Sequence, residues 1–192
     1  MKVLIVGAGL SGLSTAIGIA KKVEDATITI VERRPDFEAR GATFGLAPNG
    51  QKALQEIAPD VLAELKEEGM LMSSGGYMIP WYRVRALLLS KVQRMPDRIE
   101  LHMGVSIEKV EKVVENDDES LIATFVDSKL NIEADVIIGA DGVHSFVRTG
   151  ILCLPPAVPT GAHVWRGSLN IAGIDELRHF EEYGLGKSAQ FG

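Results

Sequence analysis

The 192-residue sequence holds a single cysteine, Cys153, so no disulfide can close within it. A reducing compartment fits that count, and a cysteine-poor secreted chain would share it. No run comes near the roughly 18 apolar residues that a bilayer span requires. Positive charge is also short: Lys and Arg number 20 against 26 Asp and Glu, a formal net charge of −6, and the basic residues are dispersed. A nucleic-acid surface normally shows a basic patch, so that partner class is disfavoured. The four histidines, His102, His144, His163 and His179, include no pair spaced like a metal site. No internal repeat or low-complexity stretch occurs. The first apolar run starts directly behind Lys2, which leaves no room for a leader peptide, and the expectation is a cytoplasmic protein.

What the sequence does have is the composition of a soluble globular chain, 46% apolar and 24% charged. Its length suits one domain and part of a second. Residues 3–6 read as a short buried strand. Leu10 to Lys22 has helical spacing, and the β-branched run TITIVE at 27–32 reads as a second strand. Strand, turn, helix and strand thus fall within the length of one βαβ unit. Residues 33–50 read as a loop whose Asn49 caps a helix over 51–57; Pro59 breaks it, and a second helix follows over 60–68. Residues 70–79 read as extended. Residues 83–95 read as a helix with Leu87, Leu88 and Val92 on one face. Strands are expected over 99–103, 107–114, 121–126 and 135–138, with NDDES as a hairpin tip. After Pro155, Pro156 and Pro159 the chain changes character, which marks a domain boundary. Beyond it a strand is expected over 162–171 and a helix over 174–183. Cys153 has no basic neighbour in sequence and is expected to be a small, buried or half-buried residue.

The strongest local signal is VGAGLSG, with Gly7, Gly9 and Gly12 between the first strand and the first helix. That context is what a dinucleotide-binding turn requires. Gly7 permits the tight turn, Gly9 lets a pyrophosphate approach the backbone, and Gly12 lets the helix press on the strand. The helix N-terminus then offers free N–H groups to the phosphates. Glu32 closes the second strand, where a carboxylate takes the ribose hydroxyls and repels a 2′-phosphate, so NADP is disfavoured there. The plain alternatives are packing glycines and a solvated strand-end charge. The turn alone does not separate NAD from FAD. A second stretch, IIGADGVHSFVR at 137–148, puts Asp141 and Gly142 at a strand-to-helix turn, another place where backbone can approach a phosphate or ribityl chain. Asp-Gly is also a common turn pair.

Taken together, Gly7/Gly9/Gly12, the pair Glu32-Arg33, and Gly139-Ala140-Asp141-Gly142 with Ser145 and Arg148 resemble the N-terminal part of the FAD-dependent aromatic-ring monooxygenases, the para-hydroxybenzoate hydroxylase-like flavoproteins. GATFGLAPNG resembles a further family stretch: Gly41, Pro48 and Asn49 match it, while Phe44 and Gly50 depart from it. Arg85 in RALL resembles a helix-start arginine that contacts the cofactor. The resemblance implies an α/β fold with a Rossmann-like βαβ FAD-binding domain over 1–155 and the start of a mixed-sheet substrate domain over 156–192. It implies that Gly7, Gly9 and Gly12 hold the pyrophosphate and Glu32 the ribose. It places Arg33 and the backbone near Val105 by the adenine, Arg85 at the phosphates, and Asp141 and Gly142 along the FAD chain. Arg85 suits a phosphate as a permanent, fork-shaped donor, and a helix-surface arginine is the alternative. Arg148 either pairs with Asp141 or sits solvated. NAD(P)H is implied as the reductant, and one oxygen atom would be inserted into a small organic substrate.

The family's third FAD segment, a G-D-x-A-H beside the flavin ring, has no counterpart in the sequence. Trp165-Arg166 resembles the first strand of the family's substrate sheet. The expectation is therefore a portion of a monooxygenase that is inactive alone, with self-association through unpaired strand edges as a liability. No catalytic side chain is assigned. An NAD-dependent dehydrogenase domain, and a non-enzymatic dinucleotide-binding module, stand beside this reading.

Overall fold

Alternation in the first two β-branched runs sets the architecture. In the computed structural model, which describes residues 1–37, 43–115 and 118–163, β1 (Lys2–Val6) and β2 (Thr27–Glu32) lie side by side and parallel, with α1 (Leu10–Lys22) as their crossover. Val3 and Ile5 of β1 and Ile28 and Ile30 of β2 enter one apolar core; Leu4, Val6 and Val31 enter a second on the opposite face. Burial on both faces is why these strands read as nearly continuous apolar runs.

The chain then builds a helical layer through β3 (Thr43–Leu46), α2 (Pro48–Ile57), α3 (Pro59–Glu68), β4 (Met70–Leu71), β5 (Tyr77–Pro80) and α4 (Trp81–Gln93). Strand β5 pairs antiparallel with both β3 and β4. The loop expected over 33–50 thus contains a strand, whose four residues take their order from distant β5 rather than from local sequence. Asn49 does not cap α2. The cap is Ala47, and Pro48 opens the helix, where its fixed φ is already helical and its missing N–H costs nothing. Pro59 opens α3 in the same way after the break at Ala58. Leu62, Leu65, Leu88 and Val92 pack with Leu13 and Ile17 of α1 over the sheet.

Strand β6 (Ile99–Met103) returns beside β2. The hairpin β7 (Ile107–Glu115) and β8 (Asp118–Phe125), with β9 (Asn131–Ala134), forms an antiparallel sheet over the other face, and β10 (Val136–Gly139) closes against β1. The parallel sheet has the order β10-β1-β2-β6. Strand β9 does not stand out in the sequence because it has only four residues, and its alternation rests on half-buried Ile132 and buried Ala134 alone. Asp135 separates β9 from β10: its backbone N–H donates to the Lys2 carbonyl, and its carboxylate accepts the Lys2 N–H at 2.7 Å. The result is three layers, helices over a parallel sheet over an antiparallel one, a mixed α/β fold.

A single turn of π-helix (Val147–Ile151) follows β10. The remaining described chain carries no regular element. Cys153 corrects the expectation of burial: it is exposed, with φ of 52°. It lies past the π-helical turn, where neither core reaches it. The strand and helix expected over 162–171 and 174–183, with Trp165-Arg166, fall outside the described residues except for Ala162 and His163. No helix among the described residues is long and apolar enough to cross a membrane.

Candidate functional site

Because β1, β2, β6 and β10 are all parallel, their C-terminal ends meet along one edge. The chain runs from β1 to β2 on one side and reaches β10 on the other, so the strand order reverses at β1. Ligands of open α/β sheets bind at such a reversal. A cavity of about 430 Å³ opens there, lined by the segments that follow these strands. That size is ordinary for a small-molecule site.

The three turn glycines have different reasons to be glycine. Gly7 has φ of +107°, donates its N–H to the Val31 carbonyl at 2.7 Å, and presses on the Ala140 backbone so closely that a Cβ would collide with it. A Cβ on Gly12 would run into the Gly7 carbonyl oxygen. Packing alone demands both. At Gly9 a Cβ would meet nothing within 4 Å, and the residue lines the cavity. Gly9 is therefore the position where a missing side chain leaves room for a ligand. It also caps α1, which has no side-chain cap and no acidic residue in its first turn. The first N–H groups of α1 are thus left to an anion.

Glu32 is no solvated strand end. It is 8% exposed, and its two oxygens accept the backbone N–H groups of Ala8 at 2.9 Å and Arg34 at 3.0 Å. One such bond per oxygen leaves each a further lone pair for a hydroxyl donor. Arg33 and Arg34 are exposed along the same wall, and Val105 lines the cavity with its N–H already bonded to the Glu32 carbonyl at 2.9 Å.

Arg85 is no helix-surface arginine. It is 5% exposed, and its Nε–H donates to the Ala8 carbonyl at 3.1 Å. Nη2 stands 3.9 Å from Glu32 Oε2, beyond hydrogen-bond length. The Phe37 and Trp81 rings lie 3.8 and 5.3 Å from the guanidinium carbon. Ala8 is thereby gripped on both sides, its N–H by Glu32 and its C=O by Arg85. Burial pulls the Arg85 pKa below its ordinary value, Glu32 raises it, and Arg34 lowers it. A buried cation whose terminal nitrogens make no hydrogen bond to the described residues, at a cavity wall, suits an anionic ligand.

Asp141 is fully engaged. Oδ1 accepts the Ser145 hydroxyl at 2.5 Å, and Oδ2 accepts the N–H groups of Phe146 and Val147 at 2.7 and 3.1 Å. It fixes the turn and leaves Gly142, at φ of +87° with open space beside it, on the cavity wall. Arg148 does not pair with Asp141. Its Nε donates to the Pro155 carbonyl at 2.6 Å, which ties the π-helical turn to the segment behind it. The sequence reading missed Trp81, one helical turn before Arg85, and Phe37, whose stacking no sequence spacing announces. It also passed over Arg34 and Phe146, and it read His144, in the Asp-Gly turn, as surface; all three lie on the cavity wall.

Comparison with known proteins identifies the family and the fold. The sequence model of the FAD dependent oxidoreductase family matches residues 2–112. The chain is 29% identical to 6-methylsalicylate 1-monooxygenase atA of Aspergillus terreus, across 87% of this chain and 44% of that protein. It is 24% identical to the FAD-dependent monooxygenase nanF of Aspergillus nanangensis, across 91% of this chain and 41% of that one. Among solved structures, CtdE in complex with FAD superposes with a TM-score of 0.67 at 20% identity, across 88% of this chain and 43% of CtdE. FqzB does so with 0.70 at 17%, across 92% and 43%. These superpositions establish the shared fold. The chain spans less than half the length of each of these four proteins. With more than half of its residues matched, the chain belongs to the FAD dependent oxidoreductase family.

Proposed function

We propose that the chain forms the FAD-holding portion of an NAD(P)H-dependent flavoprotein monooxygenase acting on a small organic substrate. The observation that carries the site assignment is the pairing of Gly9 with Arg85. An open-sided glycine at a bare helix N-terminus faces the same cavity as a buried guanidinium whose terminal nitrogens bond none of the described residues. Those features fit a pyrophosphate. In this reading Glu32 accepts the ribose hydroxyls, Arg33 and Val105 border the adenine, and Asp141 and Gly142 flank the ribityl side. FAD, when bound, supplies the redox and oxygen chemistry, and the chain's residues bind and orient it. The buried Glu32 carboxylate disfavours a 2′-phosphate, so NADPH is not the resident ligand of this cavity.

The names of the relatives support monooxygenation, and 6-methylsalicylate, named for the Aspergillus terreus protein, supports a small organic substrate. A domain boundary near residue 155, a cytoplasmic setting and self-association through unpaired strand edges complete the proposal. Calorimetric titration of the chain with FAD and with NAD is the test. FAD is expected to bind more tightly, and tighter binding of NAD overturns the reading.

A further inference from the structure

We propose that Phe37 is a positioning residue for the cofactor: its ring holds the Arg85 guanidinium so that the terminal N–H groups face the pyrophosphate. The proposal rests on the reading of the cavity as an FAD site. Phe37 lies five residues past the end of β2, is partly buried against the helical core, and does not line the cavity. Its link to the cavity wall among the described residues is Arg85, and that contact is close, 3.8 Å from ring centroid to guanidinium carbon.

Arg85 needs such a restraint. Among the described residues its one hydrogen bond runs from Nε to the Ala8 carbonyl. Its Nη2 is 3.9 Å from Glu32, so a small rotation would close a charge-assisted hydrogen bond between them. That closure would turn donors away from the phosphates and occupy a carboxylate oxygen that the ribose hydroxyls require. Stacking on the Phe37 ring opposes the rotation, because a guanidinium that leaves the ring face loses its cation–π attraction in a desolvated setting. Trp81 lies further from the guanidinium carbon, at 5.3 Å, and itself lines the cavity. Phe37 stands off the cavity wall and acts through Arg85.

The test is FAD titration, followed by flavin fluorescence, of the 192-residue chain, of Phe37→Leu, of Phe37→Tyr, and of Phe37→Leu combined with Arg85→Met. Thermal melts of each variant confirm folding. Phe37→Leu is expected to weaken FAD binding about five- to tenfold. Phe37→Tyr, which keeps the ring, is expected to bind like the parent. In the Arg85→Met background the Phe37→Leu change is expected to have no further effect, since a positioning residue has nothing left to position. Unchanged affinity in Phe37→Leu, with a parent that binds FAD, overturns the proposal. So does an equal loss in the Arg85→Met background, which would make Phe37 a core residue only. If Arg85→Met does not fold, the tyrosine variant decides, and weakened binding by Phe37→Tyr overturns the proposal. A parent chain that binds no FAD overturns the cavity reading and this inference with it.

Discussion

At the scale of single residues, the three glycines of the turn separate by what stands beside each. Gly12→Ala puts a methyl group against the Gly7 carbonyl, a backbone group that cannot yield as a side chain could. Overpacking of this kind costs about 1–3 kcal/mol, which in a chain of this size lowers Tm by roughly 2–4 °C for each kcal/mol. Gly9→Val meets open space, so its Tm is expected to stay near the parent's while FAD binding is lost to the side chain in the phosphate's path. Paired melts and FAD titrations check both, and a Gly9→Val protein that folds and binds FAD refutes the turn assignment. The glycine spacing was legible in the sequence, and so was the acid at Glu32. Illegible was that Glu32 and Arg85 together grip Ala8, because the contacts join residues 24 and 77 positions apart. Arg148 shows the same limit: its partner, the Pro155 carbonyl, is a backbone atom that side-chain identities cannot announce.

At the scale of elements, α4 carries Arg85 and is itself laced to α3. Arg83 donates through Nε to Glu68 at 2.7 Å, and Lys91 to Asp60 at 2.8 Å, so the antiparallel helices are pinned near both ends. The hydrogen bonds from Arg83 and Lys91 hold the carboxyls of Glu68 and Asp60 below their ordinary pKa values. A depressed carboxyl pKa contributes stability that is present above the unfolded pKa and lost as pH falls through the folded one. The pairs are partly exposed, so each contributes only about 0.2–1 kcal/mol. Melts from pH 6 down to about pH 3 are expected to show Tm falling as these carboxyls protonate. Glu68→Gln should start lower at pH 6 and fall less steeply; equal slopes for both proteins would show that the pair contributes nothing. Among the elements themselves, β1, α1 and β2 were legible because period and turn chemistry agree within one βαβ unit. The strands β3 and β9 were not, since each has only four residues: Thr43–Leu46 takes its extended form from distant β5, and the alternation of Asn131–Ala134 beside β8 runs over just two apolar residues, Ile132 and Ala134.

At the scale of the whole molecule, two apolar cores on opposite faces of one parallel sheet hold the cavity at the strand ends, and its rim is exposed at Arg33, Arg34, Gly142 and His144. Productive oxygen insertion requires water to be kept from the reacting centre. We therefore expect the 192-residue chain with FAD to oxidise NAD(P)H slowly and pass both electrons to oxygen, giving hydrogen peroxide. Oxygen uptake with peroxide and oxygenated product counted separately, over a panel of phenols, is the check, and coupled formation of an oxygenated phenol refutes the expectation. The strand order also bears on how the protein is made. Gly7 rests against Ala140, and Lys2 bonds Asp135 across 133 residues, so the earliest and latest parts of the described fold share one wall. On the ribosome the βαβ unit emerges before β10 and waits, with one edge of β1 bare and its glycine turn unsupported, until β10 has been synthesised. Such a long-range closure is slow and leaves an edge open to wrong pairing in the meantime. Cofactor capture is thus expected to come late in biogenesis, and FAD supplied during expression should raise the yield of folded chain by trapping the closed form once β10 has docked.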